Sequence, residues 1–181
     1  LSKLLSTRQL ILCGMTIPIG LLLVVGGLQW RSVRSYEASR QWVNHTRFVL
    51  VALESLVSDL SKAEIGQRSY LLTHQDSYLG PYEAALGDGR DQLRMVRQLT
   101  VDNAGQQQKL NRLEPLIAAE FAKLEQTVTL EKNLDHAGAV KLAADNAGNP
   151  MNQIQATLLQ MHVIERGLLE EREATYQRIG R

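Results

Sequence analysis

The 181-residue sequence has one cysteine, Cys13, and it lies inside an apolar run. A disulfide, a cysteine-based metal site and a c-type haem attachment are thereby excluded. Aromatic residues are scarce at 5%, while Leu, Ala, Gln and Glu are plentiful, so the composition favours helix over strand. No charged residue occurs at positions 10–28. A surplus of positive charge is missing as well. The first 29 residues hold two of the 20 Lys+Arg and none of the 19 Asp+Glu, which leaves 18 basic against 19 acidic residues beyond them. There is no electrostatic footprint for a nucleic-acid partner.

The uncharged run is long enough to matter. At about 1.5 Å per residue it reaches roughly 28 Å, the thickness of a bilayer's hydrocarbon core. Lys3 and Arg8 precede it, and Trp30, Arg31 and Arg34 follow it as interfacial anchors. A cleaved signal peptide is the competing reading, but Gly-Gly-Leu-Gln-Trp-Arg after the run offers no Ala-x-Ala-like site. The expected organisation is a cytoplasmic flank at 1–9, a transmembrane helix at 10–30 with Pro18 as a tolerable kink, and a helical domain at 31–181. Arg31, Arg34, Arg40 and Arg47 outnumber Lys3 and Arg8, so charge counting does not support export of the domain, although that rule weakens for long translocated segments. The chain does not begin with Met, and residues before Leu1 are expected.

From Val43 onward, alternating steps of three and four pick out Thr46, Leu50, Leu53, Val57, Leu60, Glu64, Gln67 and Leu71, a seam for side-by-side helix packing. Neither Gly nor Pro interrupts the chain between Trp30 and Ile65, so the membrane helix is expected to continue into this one and stop near His74. Asp76 or Ser77 then caps a second helix carrying Leu79, Tyr82, Leu86, Leu93, Val96 and Leu99, which ends around 102–105. A third helix carries Leu110, Leu113, Ile117, Phe121, Leu124 and Val128 and closes near Leu134, with a kink or a late start at Pro115. A short helix spans 137–147, and Asn149-Pro150 opens the last long one with Met151, Ile154, Leu158, Met161 and Leu168 on one face. The predicted fold is all-α: a transmembrane helix continuing into an antiparallel up-down-up-down four-helix bundle with one short extra helix.

Glu64, Glu165 and Arg172 fall in or beside the seams where aliphatic residues belong, and a buried charge needs a partner. Arg68 lies one turn beyond Glu64, and antiparallel register across the turn at 74–77 also brings Tyr82 and Glu83 within its reach. These six are the candidate structural and signalling ion-pair residues. Around them, Ala63-Glu64-Ile65-Gly66-Gln67-Arg68-Ser69-Tyr70-Leu71-Leu72-Thr73 and Tyr78-Leu79-Gly80-Pro81-Tyr82-Glu83 resemble the E-x-G-x-R-G-Y-L-L-T-G … F-L-x-P-Y signature of the third class of CHASE sensory domains. Met151-Asn152-Gln153-Ile154 and Glu165-Arg166-Gly167-Leu168-Leu169-Glu170-Glu171-Arg172 are similar to that family's M-D-x-I-R and E-x-x-L-L-x-x-R blocks. Ser69 and His74 stand where the family usually has Gly, and Asn152 and Gln155 replace its usual Asp and Arg. The resemblance implies an extracytoplasmic helical sensor in a bacterial inner membrane, with its bundle on the periplasmic side. Such sensors are flanked by two membrane helices and joined to a histidine kinase, diguanylate cyclase or chemoreceptor output. A homodimer and an unknown stimulus, a small molecule or a partner protein, come with it.

Catalytic chemistry is sparse. No Ser/His/Asp or Cys/His arrangement, Gly-rich phosphate loop, kinase nucleotide signature or Gly-Gly-Asp/Glu-Glu-Phe cyclase motif is present, so no catalytic residue and no cofactor is assigned. Among His45, His74, His136 and His162 no pair has His-x-x-x-His spacing. His74 and His136 belong to the membrane-distal end near Asp76, Asp135 and Asp145, where a surface divalent-ion site is the less favoured reading beside simply solvated loop carboxylates, and no metal ligand is assigned. The apolar pattern of the last helix runs through Leu168 and Leu169 to Tyr176 and Ile179 with no decisive stop, so a second span and an output domain are expected past Arg181. The reading is a sensory input domain, most simply of a two-component histidine kinase. The alternative is a membrane-anchored helical scaffold.

Overall fold

The computed structural model describes residues 7–145 and 150–179. The elements are α1 (Thr7–Thr73), a 3-10 turn (Asp76–Tyr78), α2 (Leu79–Leu99), α3 (Ala104–Lys132), α4 (His136–Ala144) and α5 (Pro150–Ile179), and no strand occurs among the described residues. The backbone of residues 10–28 belongs to α1, but most side chains of this run lie outside the described residues. Among the described residues no helix is long and apolar enough to cross a membrane.

The chain divides into two units, Asn44–Glu170 and Leu1–Val43 with Glu171–Arg181. In the first, side chains from α1, α2, α3 and α5 share one core that includes Leu53, Leu56 and Leu60, Tyr82 and Val96, Leu110, Leu113 and Ile117, and Ile154, Leu158 and Met161. Cross-helix pairs fix the directions. Arg97 bonds Glu114 while Arg90 bonds Glu125, so α2 and α3 run antiparallel. His162 meets Glu54, and Met151 and Asn152 share a cavity with Glu64 and Arg68, so α5 and α1 do as well. Gly66 against Tyr82 and Gly89 beside Asp59 set α1 antiparallel to α2. The bundle is thus up-down-up-down. In the second unit, among its described residues, Val43 is buried and the Arg172 guanidinium lies 4.8 Å from the centre of the Trp42 ring.

Several local expectations need correcting. The α1 seam is wider than alternating threes and fours. Val49, Ala52, Leu56 and Ala63 are buried while Val57 is 37% exposed, because a helix with neighbours on two sides needs a broader apolar stripe than a two-helix seam. Neither Asp76 nor Ser77 caps α2 through its side chain; a 3-10 turn leads into it instead. Asn103 caps α3, accepting from Gln106 N–H at 3.1 Å, and α3 then runs through Pro115 without a late start. Asp135 caps α4, accepting from Gly138 N–H at 2.9 Å, and the helix ends at Ala144; residues 146–149 lie outside the described residues.

α1 and α3 stop in the same way. His74 and Leu134 adopt positive φ of 55° and 64°, the left-handed geometry that closes helix C-termini. The N–H of His74 returns to the carbonyl of Tyr70 at 2.8 Å, and that of Asp135 to Leu130 at 3.0 Å.

Candidate functional site

Alternating steps of three and four along α3 connect Leu110, Leu113, Ile117, Glu120, Leu124, Thr127 and Glu131, all buried. The core face of α3 is therefore interrupted by a carboxylate, a hydroxyl and a second carboxylate. The first interruption makes a site. Glu120 and Lys123 on α3, Glu64, Gln67 and Arg68 on α1, and Met151, Asn152 and Gln155 on α5 surround a cavity of about 260 Å³.

Its polar groups are partly committed to each other. Arg68 donates to Glu64 at 2.5 Å, one turn away on α1. Lys123 donates to the carbonyl of Asp145 at 2.5 Å. Gln67 is 2% exposed, and its side-chain N–H₂ finds no hydrogen-bond partner among the described residues. An unsatisfied buried amide is rare and costs about 1–3 kcal/mol, and Gln67 is also one of the residues lining the cavity. Burial holds the Glu120 carboxyl above the usual carboxylate range; Lys123 and Arg68 oppose that shift and Glu64 adds to it. The arrangement provides carboxylates, cations and amides for reversible binding, with no nucleophile and base in contact.

The raised Glu120 has a pH signature. The folded state holds its proton more tightly than the unfolded chain, so ionised Glu120 destabilises the fold at neutral pH, and the penalty is relieved as pH falls through the raised value. Glu120→Gln is expected to raise Tm at about pH 7 and to lose that advantage in acid, where the native residue is itself protonated. Equal Tm changes across the whole range would show that the carboxyl is not destabilised by burial.

The other residues singled out from the sequence are dispersed. Arg68 does not reach Glu83, which instead lies 3.9 Å from Lys132 of α3. With its side chain 65% exposed, Arg68 forms only a surface pair with Glu64, so Arg68→Ala is expected to cost no more than about 0.5 kcal/mol in thermal denaturation, far below the figure for a buried pair. Tyr82 is buried against Gly66; burial raises its hydroxyl's pKa, with the charge on Glu125 adding to it, and the hydroxyl has no partner among the described residues. Glu165 is 3% exposed and accepts from the Gln106 side-chain amide at 2.9 Å. Arg172 rests on Trp42, with an Nη1 to carbonyl distance of 3.5 Å. Glu120 escaped sequence reading because Phe121, one place along, is also buried and continues the apolar pattern. The unbroken 110-113-117-120-124-127-131 spacing was the signal for it.

The described residues of Asn44–Glu170 form an antiparallel helical bundle with a polar cavity among α1, α3 and α5. The CHASE3 domain family matches residues 39–175, and the chain belongs to that family of extracytoplasmic sensory domains. The crystal structure of the sensor domain of histidine kinase HK9 from Rhodopseudomonas palustris is similar in fold. Its TM-score is 0.61 at 23% identity, covering 68% of this chain and 97% of that one. No curated protein matches.

Proposed function

We propose that this chain is the periplasmic input module of a membrane-bound sensor histidine kinase whose stimulus is a small polar molecule held in the α1–α3–α5 cavity. The observation that carries the reading is a polar cavity lined by Glu120 and by Gln67, whose buried amide is unsatisfied, and bordered by Glu64 and Arg68 within the matched sensory family. The mixture of Glu64 and Glu120 with Arg68 and Lys123 suits a ligand carrying both an anionic and a cationic or hydroxyl group. A kinase output is favoured over a cyclase or chemoreceptor by the likeness to the HK9 sensor domain. Residues 10–28, apolar and of bilayer length, provide the anchor.

Packed helices move as rigid units between discrete arrangements, so a ligand seated among α1, α3 and α5 acts by displacing α5 against α1. Glu165 and Arg172 lie along α5, and replacing both with Leu is expected to lock the output in one state. The receptor works as a homodimer through residues 31–43, and single cysteines placed along 32–41 are expected to crosslink with helical periodicity.

The test begins with the coding sequence past Arg181, expected to hold a second apolar span and a kinase core. Full-length protein is expected to stay in membranes after high-salt washing, and Gln67→Leu to shift basal autophosphorylation while the fold is retained. A gene with no signalling domain would overturn the reading in favour of a membrane-anchored scaffold. Autophosphorylation indifferent to the cavity would overturn the assignment of the stimulus site.

A further inference from the structure

Where α1 and α3 end, the left-handed turns at His74 and Leu134 bring two imidazoles onto one carboxylate. His74 Nδ1 lies 2.7 Å from Glu131 Oε1, and His136 Nδ1 lies 2.8 Å from Glu131 Oε2. The two rings face each other edge-on with centroids 5.2 Å apart, and one ligand atom from each of the three residues lies within 4.8 Å of the others. These residues share none of the cavity described above. The Glu131 side chain is only 6% exposed, whereas those of His74 and His136 are 61% and 54% exposed, so the carboxylate is fixed in the core and the two imidazoles stand at an open entrance.

We propose that His74, Glu131 and His136 form a binding site for a divalent transition ion of the Zn2+ type, with solvent in the fourth position. A tetrahedral ion with bonds of about 2.0–2.2 Å sets its ligand atoms roughly 3.4 Å apart, so admitting it requires each ring to withdraw slightly from the carboxylate and ligand atoms as much as 4.8 Å apart to draw together. Two imidazoles and one carboxylate suit Zn2+ and its neighbours among the transition ions, and not Mg2+ or Ca2+, which take oxygen ligands. A buried carboxylate needs compensating charge, and a divalent cation provides it directly. The field is favourable too. Burial first, and then the charges on Asp76 and Glu131, hold the proton on the Tyr70 hydroxyl, so two carboxylates act at this end of the bundle. The inference does not depend on the kinase reading, because ion binding is a property of the chain itself.

Tagless full-length chain, stripped with chelator and titrated with ZnCl2 alone, is expected to take up one equivalent at about pH 7.5 and to gain thermal stability, with no response to MgCl2. His74→Asn/His136→Asn keeps an amide donor near each Nδ1 position for the Glu131 carboxylate and should fold while losing the site. Glu131→Gln should weaken it at least tenfold, and His162→Ala should leave it intact. Absence of a stoichiometric site in the native chain, or an unchanged site in the double histidine variant, would overturn the proposal. A cluster that changes stability with pH yet ignores Zn2+ would likewise overturn it, leaving a carboxylate held by two imidazoles and nothing more.

Discussion

Gly66→Val should lower the melting temperature of the chain by about 10 °C, equivalent to roughly 3 kcal/mol in a domain of this size. A Cβ at Gly66 would stand 2.9 Å from the Tyr82 Cβ and 3.2 Å from its Cα, so the neighbour that would have to yield is backbone. The glycine of the Glu64-Ile65-Gly66-Gln67-Arg68 motif is thus the crossing point at which α1 lies against the first turn of α2. Valine adds two methyl groups and a β-branched χ1 to that crossing, and overpacking of this kind forces the helices apart. Gly87 is the control. Nothing lies within 4 Å of a Cβ built there and the residue is exposed in mid-helix, so Gly87→Ala should raise stability by about 0.5–1 kcal/mol. A Gly66→Val variant that melts with the native protein would mean that the α1–α2 crossing is looser than these distances.

Gln106→Leu is expected to be comparably severe, and its rescue is the more informative result. The Gln106 side-chain amide, 1% exposed, donates to Glu165 at 2.9 Å and to the carbonyl of Met161 at 3.2 Å. Leucine there would leave a nearly buried carboxylate without that donor, a loss of about 3 kcal/mol or more. Adding Glu165→Leu removes the stranded charge and should bring stability back to the native level or above it, since replacing both members of a buried polar pair with apolar groups is often neutral or stabilising. Thermal melts of the two single variants and the double variant make the cycle. If Gln106→Leu alone is tolerated, Glu165 is compensated by some other group and the coupling between α3 and α5 does not rest on this pair.

Much of the bundle was readable because apolar spacing and breakers agreed. Leu53, Leu60, Leu110, Leu113, Ile117, Ile154, Leu158 and Met161 all fell on the faces that pack. What escaped was decided by neighbours that a single helix cannot reveal. Val49 and Leu56 are buried because α1 has helices on two sides, and Val57 is pushed to the margin for the same reason. Pro115 stays within α3, since tertiary packing outweighs one missing hydrogen bond. Glu83 turns to Lys132 and not to Arg68, a choice between two cations at similar sequence-level reach. At the far end, His74 and His136 were correctly sent to one place, but loop aspartates were expected around them. The residue that receives both is Glu131, four places past Thr127 on a helix face that reads as core.

The polar interruptions of α3 act together as a tooth pattern. Gln106 engages Glu165 near one end, Glu120 opens into the cavity partway along, and Glu131 receives two histidines at the other end. A uniformly aliphatic helix can slip by a turn and find nearly equivalent packing. A one-turn slip of α3 would strip all three groups of their surroundings at once and drive carboxylates into Leu and Ile holes, each a costly burial. These contacts oppose a one-turn slip between α3 and either α1 or α5, so a displacement of α5 against α1 that keeps them must be smaller than a turn.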